Sequence, residues 1–394
     1  MRILLPFNKG ATYASFYTDF HSGIERAVRE LGHELVIFGH EDIERSSPAE
    51  QQALYRALAQ QPCDAVFDLC CWAHCLSLSK VWDGSSTGEP IFDSLEMDYV
   101  GLLFDHPWFQ PLPAVHSSRL HASIPDRSNA VQLSLVYPQV KLRGTAFAPP
   151  AIDDRNDRSG EGAERDIELL YIGNLHHDAL ARLWRDAPNA ALYDETADLA
   201  LAEPELPLHA VLERVLAARG QLLDAAIALE ILRPVEYFRR TRFRLDAVRA
   251  AAASGAPMLV IGNGWEQAGL PANVTLGPFV DYRALLGYAA RARICLDAST
   301  YPQGANDRVF NYMLNGAVCF SNARGYLGEV YGAGDGLHFY SMREPQALAA
   351  AIRELLAAPG RLQDDAARAR ELTLATQTWR HRVEAILAML RTET

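Results

Sequence analysis

The chain has 394 residues, of which 49% are hydrophobic and 22% charged, and its formal net charge is -12. This length predicts two or three domains with a sizeable apolar core. The acidic balance disfavours a general nucleic-acid or anionic-membrane binder. A run of about 18 apolar residues, the mark of a transmembrane helix, is not found in the sequence.

The first 150 residues alternate short apolar runs with amphipathic segments, which indicates a parallel sheet covered by helices. A helix that ends at Gly32 is expected between the first two strands. The opening run MRILLPFNKG is too short and too quickly polar for a secretory signal. The predicted strands cover residues 2–6, 35–38, 65–69, 99–104 and 132–136.

Two stretches of this first part carry side chains that could bind a metal or act in catalysis. CDAVFDLCCWAHC is dense in cysteine and histidine, but its spacing fits no standard zinc site, so buried reduced cysteines are the stronger interpretation. GLLFDHPWFQP places Asp105 and His106 directly after a predicted strand. That position suits a general base, although by itself the stretch favours the alternative, a polar turn shaped by Pro107.

A second alternating series follows a polar, glycine- and proline-containing segment over 149–166, which predicts an interdomain linker. A long helical region is expected over about 206–252, and closing helical stretches over 345–357 and about 362–391. Ligands of doubly wound sheets bind at the carboxyl ends of the strands. The predicted strands cover 167–172, 258–261, 274–276, 294–296 and 318–320.

Two strands of the second series lead directly into glycine turns. LLYIGNLHHD has Gly173 after its strand, and VIGNGWEQAG has Gly262 and Gly264. Glycine lets the backbone approach a ligand closely. The second turn lacks the third glycine of the dinucleotide fingerprint. The second turn is therefore as consistent with simple chain reversal as with a ligand site, and the first would leave space for a ligand after the first strand of its domain.

The stretch YPQGANDRVFNYMLNGAVCFS, residues 301–321, joins a polar loop to an apolar helix and a strand. The helix start offers free N–H groups and the positive end of the helix dipole. Gly304 permits close approach, and Arg308 adds a planar cation suited to phosphate. Together these groups suit a diphosphate, and the alternative is an arginine paired with a surface carboxylate. None of the three lysines of the chain lies beyond residue 141, so a cation here must be arginine or a metal.

The run GPFVDYRALLGYAARARICLDASTYPQGANDRVFNYMLNGAVCFSN resembles the C-terminal domain of bacterial GT-B glycosyltransferases, and most nearly the CgeB-like glycosyltransferase-1 group. SFYTDFHSGIERAVRELGHEL resembles the first helix of that group, MLVIGNGW one of its strand–turn segments, and TWRHRVEAIL its closing helix. The likeness covers most of residues 1–40 and 235–394, while residues 176–234 match nothing recognisable.

This resemblance implies an α/β GT-B fold, with two Rossmann-like doubly wound domains facing a cleft. The acceptor-side domain would cover residues 1–150 and the nucleotide-sugar domain residues 165–372. A final helix over 373–394 would cross back to the first domain. Enzymes of this group do not usually need a metal, so no metal and no cofactor besides the sugar donor are expected.

The resemblance also implies roles for individual residues. Gly304 to Arg308 would face the diphosphate or the sugar, and Gly277 and Phe279 would flank the base. Asn311 stands where many relatives carry a ribose-binding glutamate, so that contact would lack its charge. The implied donor-side residues are Gly173, Asn174, Gly262, Gly264, Trp265, Gly277, Phe279, Tyr301, Gly304, Asn306, Asp307, Arg308, Val309 and Asn311.

The sequence thus predicts a cytoplasmic, metal-independent glycosyltransferase. It would move a sugar from a nucleoside-diphosphate donor, by default UDP-linked, to a hydroxyl or amide of a glycan, lipid-linked sugar or protein. Two alternatives stay open, a nucleotide-sugar 2-epimerase of the same fold and a non-catalytic GT-B-shaped scaffold. No nucleic-acid partner is expected, and a homo-oligomer is left open.

Catalytic roles follow from the same resemblance. Arg308 would stabilise the departing diphosphate, with Arg240 and Arg242 as helpers. If the reaction inverts the anomeric centre, the base would be His106 or Asp105, or Asp19 on the first helix. The sugar, the acceptor and the stereochemical outcome are not predicted.

Overall fold

The structure is a computed structural model that describes residues 1–9, 15–40, 47–77, 90–160, 164–323, 325–332 and 334–392. The chain divides into two compact units. Unit 1 comprises Met1–Asp153 and Trp379–Thr394, and unit 2 comprises Asp154–Thr378. Among the described residues, no helix combines the length and the apolar character needed to cross a bilayer.

Unit 1 is built on one parallel sheet with strand order β2-β1-β3-β4-β5-β6. Two strands inside this sheet are buried at every position, and most of their side chains are apolar. The elements in chain order are β1 (Arg2–Asn8), α1 (Ser15–Glu30), β2 (Glu34–His40), α2 (Pro48–Gln60), β3 (Ala65–Leu69), α3 (Ile91–Ser94), β4 (Asp98–Leu102), β5 (Leu120–Ile124), α4 (Asn129–Val136) and β6 (Gly144–Phe147).

The strand predicted over 132–136 is wrong, because this segment is the second half of α4. Its buried positions are Asn129, Gln132, Leu133 and Val136, which follow helical spacing. A short apolar run does not distinguish the two structures by itself. Strands β5 and β6 were not predicted, since polar residues such as the buried His121 interrupt their apolar pattern.

Unit 2 is built on a second parallel sheet, with strand order β12-β11-β10-β7-β8-β9. The predicted helical region over 206–252 consists of two helices, and the last of them is long. The elements in chain order are β7 (Ile167–Ile172), α5 (Ala190–Ala202), α6 (Leu208–Ala218), α7 (Ala225–Ala252), β8 (Met258–Ile261), β9 (Val274–Leu276), α8 (Tyr282–Arg291), β10 (Ala292–Asp297), α9 (Asp307–Leu314), β11 (Val318–Ser321), α10 (Gly325–Val330), β12 (Leu337–Phe339), α11 (Pro345–Leu356) and α12 (Pro359–Thr376).

The last helix, α13 (Trp379–Arg391), packs on α1 within unit 1. A Cβ atom at Gly23 of α1 would lie 2.2 Å from Cδ1 of Trp379, so only glycine leaves room for this indole. The Trp379 ring also contacts Phe20 and Phe104, with centroid distances of 5.0 and 5.8 Å. An aromatic cluster therefore fixes α13 to unit 1.

The segment predicted as a linker is anchored at its two ends. The carbonyl of Ile152 accepts a hydrogen bond of 3.1 Å from the Trp379 N–H, and that of Pro149 accepts one of 2.8 Å from Arg382. Further along, the Arg165 guanidinium donates to the carbonyls of Ala292 and Asn315 in unit 2. Residues 161–163 lie outside the described part of the chain.

Candidate active site

The sheet of unit 2 has a topological switch point between β7 and β10. From β7 the chain proceeds through β8 to β9 on one side, and it then returns to place β10 on the other side. Leu296 pairs with Tyr171 in this register, so the loops that follow the two strands start side by side. Such a switch point is the place where doubly wound sheets bind ligands.

Asp297 ends β10 and is completely buried in its side chain. Its Oδ1 accepts a hydrogen bond of 3.1 Å from Asn306, and its Oδ2 accepts one of 3.0 Å from Ser321. Asn306 is also the N-cap of α9, where its side chain accepts from the N–H of Arg308 at 3.2 Å. The buried carboxylate therefore fixes the loop that leads into α9.

Arg308 lies over this carboxylate, with its Nη2 3.7 Å from Oδ1 of Asp297 and its side chain 23% exposed. A Cβ atom at Gly173 would lie 3.1 Å from Nη1 of Arg308, so the guanidinium reaches the loop after β7. Burial alone would lower the pKa of Arg308, but the neighbouring Tyr171 and Asp297 groups raise the pKa above its usual value. The switch point thus holds a permanent cation.

The glycines of the two turns serve close backbone packing. A Cβ atom at Gly262 would lie 2.4 Å from the carbonyl oxygen of Gly173, and one at Gly264 would lie 2.0 Å from that of Leu175. Both glycines have positive φ, 141° and 86°. The Asn263 N–H donates to Oδ1 of Asn174 at 2.9 Å. The two turns form one interlocked unit beneath Arg308.

Trp265 has a different role from the one that the resemblance implies. Its side chain is 1% exposed in the apolar core, and its indole N–H donates to the carbonyl of Gly173 at 2.7 Å. It therefore supports the Gly173 turn from inside, and its ring does not present surface to a nucleotide.

Helix α7 brings further arginines to the same turn. Arg244 donates to the carbonyl of Asn174 at 2.6 Å. Burial, and next the charges of Arg244 and Arg240, lower the pKa of His176 two residues beyond Asn174. Arg242 was predicted, like Arg240, to assist Arg308. It lies on another face of the helix and binds Asp246 at 2.7 Å. Residues four positions apart share one face of a helix, whereas residues two apart do not, so Arg240 and Arg244 face this site and Arg242 does not.

A small polar cluster lies in the first turn of α9. The Tyr282 hydroxyl donates to Oδ2 of Asp307 at 3.0 Å and accepts from Nδ2 of Asn311 at 2.8 Å. Burial raises the pKa of Asp307. Among the described residues, Oδ1 of Asn311 is buried without a hydrogen-bond partner. The amide thus keeps an acceptor available, at the position that the resemblance connects with ribose.

The other donor-side predictions fall on residues of contrasting exposure. Phe279 follows β9 and is 73% exposed, and Gly277 packs against Ile261 at the end of β8. Tyr301, Gly304 and Val309 are buried around the loop before α9. All of them follow the carboxyl ends of strands in unit 2, and Phe279 offers the largest exposed ring.

The proposed bases lie in unit 1 and differ in accessibility. His106 is 2% exposed, and its ring stacks on Trp108 at 4.8 Å between centroids, which does not suit a group that must reach substrate. Asp105 is half-buried and accepts from the N–H of His106 at 2.8 Å. Asp19 of α1 is buried. Asp105 is the most accessible of these groups.

No group of three or more potential metal ligands occurs in the described ranges. All six cysteines are buried and unpaired, in line with the reduced state expected from their spacing. Cys70 and Cys71 adopt positive φ values of 56° and 55°, a conformation that is uncommon outside glycine. They wrap the end of β3 around Asp68, whose carboxylate accepts from the N–H of Ala73.

The same arrangement of two sheets occurs in solved glycosyltransferases. Sucrose-phosphate synthase from Thermosynechococcus elongatus is 11% identical, with a TM-score of 0.56 over 100% of this chain and 98% of that chain. A glycosyltransferase from Rickettsia africae is 9% identical, with a TM-score of 0.54 over 98% and 97%. An α-glucosyltransferase solved with UDP and DNA is 10% identical, with a TM-score of 0.53 over 99% of each chain. The fold is therefore GT-B.

A family comparison matches the later part of unit 2 and most of the last helix. Residues 239–388 match the family model described as glycosyl transferase-like, and this segment contains Arg240, Arg244, Asp297 and Arg308. No curated protein sequence matches the chain. Residues 239–388 thus match a glycosyltransferase family, and the chain as a whole has the GT-B fold.

Proposed function

We propose that the β7–β10 switch point of unit 2 binds the diphosphate of a UDP-sugar, and that the enzyme transfers this sugar to an acceptor hydroxyl or amide. The position of Arg308 is the observation that carries the proposal. Buried Asp297 holds its guanidinium at the backbone of Gly173. A rigidly held arginine at a helix start is the arrangement that oxygen-rich anions require.

In the transfer, the bond between the anomeric carbon and the diphosphate oxygen breaks and a bond to the acceptor atom forms. Negative charge grows on the leaving diphosphate as this happens. Arg308, Arg240 and Arg244, together with the positive end of α9, would offset that charge. Because Asp297, Asn306 and Asn174 already fix these groups, little reorganisation is required during the reaction.

The Tyr171 hydroxyl supports a ligand at this position. It is fully buried next to Arg308 and has no hydrogen-bond partner among the described residues. An unpaired buried hydroxyl is destabilising by about 1–3 kcal/mol. A phosphate oxygen would satisfy it, so we expect Tyr171 to donate to the bound diphosphate.

The nucleotide and the metal requirement are parts of the proposal. An α-glucosyltransferase of similar fold was solved with UDP, which favours UDP as the first nucleotide to test. Because three arginines can offset the leaving-group charge, we expect activity to persist in excess chelator. Complete loss of activity that a divalent cation restores would contradict metal independence.

The primary test is thermal unfolding of the full chain with a panel of nucleoside diphosphates, followed by donor turnover. A ligand at 100 times its dissociation constant stabilises by about 2.7 kcal/mol. Slow release of UDP from a UDP-sugar supports a transferase, whereas conversion to an epimeric UDP-sugar indicates an epimerase. Binding without turnover indicates a scaffold, and the absence of any shift rejects the donor site.

The acceptor, the base, the CgeB-like subtype, the cytoplasmic location and a homo-oligomer remain predictions of the sequence. Asp105 is the first base to test, because it is the most accessible of the three candidates. Activity of Asp105→Asn that equals the wild type would remove it from the reaction.

A further inference from the structure

Unit 2 contains a cavity of about 480 Å³. Most of its lining comes from residues 176–234, the segment that matches nothing recognisable in sequence. Its walls are mainly aromatic and aliphatic, and they come from residues 179–193 and from residues 233–237 within α7. Ligand pockets for small molecules have this size and this kind of lining. The residues of the proposed diphosphate site do not line it.

Two aromatic walls of this cavity are held in place. Trp184 stacks on Tyr193 at 5.3 Å between centroids, and its indole N–H donates to Oδ1 of Asp194 at 3.0 Å. Arg182 also binds Asp194, at 2.9 Å, and it adopts a left-handed conformation with φ of 52°. These contacts fix the two stacked rings in the wall of the cavity, so the cavity is not a consequence of loose packing.

The third wall is the part of α7 around Pro234, which lies inside the continuous helix. Proline lacks an N–H, so the carbonyl of Glu230 loses its usual partner four residues later. The Tyr193 hydroxyl donates to this carbonyl at 3.0 Å. The Tyr193 hydroxyl therefore replaces the N–H that Pro234 lacks, and Tyr193 and Pro234 both line the cavity.

The edge of the cavity determines the chemistry of the occupant. Leu183 is 73% exposed there, and Arg233, an exposed residue, lines the same edge. Apolar walls with one cation at the mouth favour a molecule that is apolar at one end and anionic at the other. We propose that this cavity binds an apolar chain or ring bearing a carboxylate or phosphate, with the anion at Arg233.

The cavity and the diphosphate site lie along one face of α7. Arg233, Tyr237, Arg240 and Arg244 are spaced by four, three and four residues, which places them in one stripe. Tyr237 lines the cavity, and its ring contacts His176 at 5.8 Å between centroids. The rise of an α-helix separates Tyr237 from Arg244 by about 10 Å. The two ligands would therefore bind near each other without sharing residues.

The test uses sodium decanoate as the probe, below its micelle-forming concentration, with titration calorimetry on the full chain. We expect saturable binding that tightens by up to about tenfold for each two methylenes from octanoate to decanoate. Decanol should bind about tenfold more weakly, because it lacks the charge. Absence of saturable binding, or equal binding of decanol and decanoate, would overturn the proposal.

Two substitutions localise the site. Ala187→Trp fills the cavity and should weaken decanoate binding at least about tenfold, whereas Ala181→Trp, on an exposed position of the same segment, should not. Arg233→Gln should abolish the preference for decanoate over decanol. UDP binding should persist in all three variants, which separates this proposal from the donor site. Unchanged decanoate binding in a folded Ala187→Trp protein would place the ligand elsewhere.

Discussion

Nη2 of Arg308 lies 3.7 Å from Oδ1 of Asp297, a carboxylate whose side chain is completely buried at the end of β10. This pair connects the loop after β10 with the turn after β7, because the same guanidinium reaches Gly173. The buried carboxylate of Asp297 thus holds the guanidinium of Arg308 in position, a constraint that a surface arginine would lack. Its replacement should change chemistry more than folding.

Arg308→Lys should lower kcat by about 30- to 150-fold. An ammonium group lacks the planar fork that contacts two phosphate oxygens, and one lost charge-assisted hydrogen bond is worth about 2–3 kcal/mol in a closed site. The effect should be larger on kcat than on KM, because diphosphate charge grows in the transition state. Steady-state kinetics beside thermal melts provide the measurement, with Arg242→Lys as the matched control. Near-normal turnover in Arg308→Lys and Arg308→Ala would remove this residue from the mechanism.

Arg244→Gln and Arg240→Gln should weaken UDP binding, each by about tenfold, whereas Arg242→Gln should leave it unchanged. The reason is that Arg240 and Arg244 lie on the face of α7 that meets the turn after β7, whereas Arg242 lies on another face. Arg244 donates to the carbonyl of Asn174, and Arg242 binds Asp246. Titration calorimetry with UDP measures the three constants. If Arg242→Gln weakened binding as much as Arg244→Gln, the proposed side of the helix would be incorrect.

Gly264→Ala should destabilise the protein by more than about 1 kcal/mol. The residue has φ of 86°, and a Cβ atom would lie 2.0 Å from the carbonyl oxygen of Leu175. Gly287→Ala is the matched control, because it lies within α8 with open space around its Cα. That change should be neutral or stabilising by about 0.5–1 kcal/mol. Urea unfolding of both variants gives the comparison, and an unaffected Gly264→Ala would show that the turn can rearrange.

Asp68 should make unit 1 less stable as the pH rises. Burial raises the pKa of this carboxyl from 3.8 to about 7, against the hydrogen bonds from Tyr99 and Ala73. Between these values the folded state keeps a proton that the unfolded state releases, so stability falls as pH increases through this window. Relative to the wild type, Asp68→Asn should gain about 2 kcal/mol between pH 5 and pH 8.

His21 provides a control of opposite sign for the pH experiment. Burial lowers its pKa from 6.5 to about 4, so the unfolded state binds a proton first as the pH falls below 6.5. His21 therefore contributes a loss of stability as the pH falls from 6.5 to 4, and His21→Gln should remove that contribution. Denaturant unfolding across the range measures both slopes. Parallel curves for Asp68→Asn and the wild type would show that Asp68 is ionised in the folded protein.

The sequence alone determined the features that local patterns encode. Apolar runs identified β3, β8, β10 and β11, since largely buried parallel strands need apolar side chains on both faces. The polar loop before an amphipathic helix identified the start of α9 with Arg308, because helix caps and glycines have local signatures. These patterns, with the resemblance they supported, were sufficient for the fold class and the class of enzyme.

Tertiary structure decided which side chains meet. Asp297 reads in sequence as the end of an apolar strand, and only the neighbouring loop and β11 make it the anchor of Arg308. Arg244 was missed for the same reason, although counting the helical phase from Arg240 could have found it. Trp265 and His106 proved to be buried, because burial depends on segments distant in the chain. Contacts between distant segments arise from packing of whole elements, and a local run of residues does not contain that information.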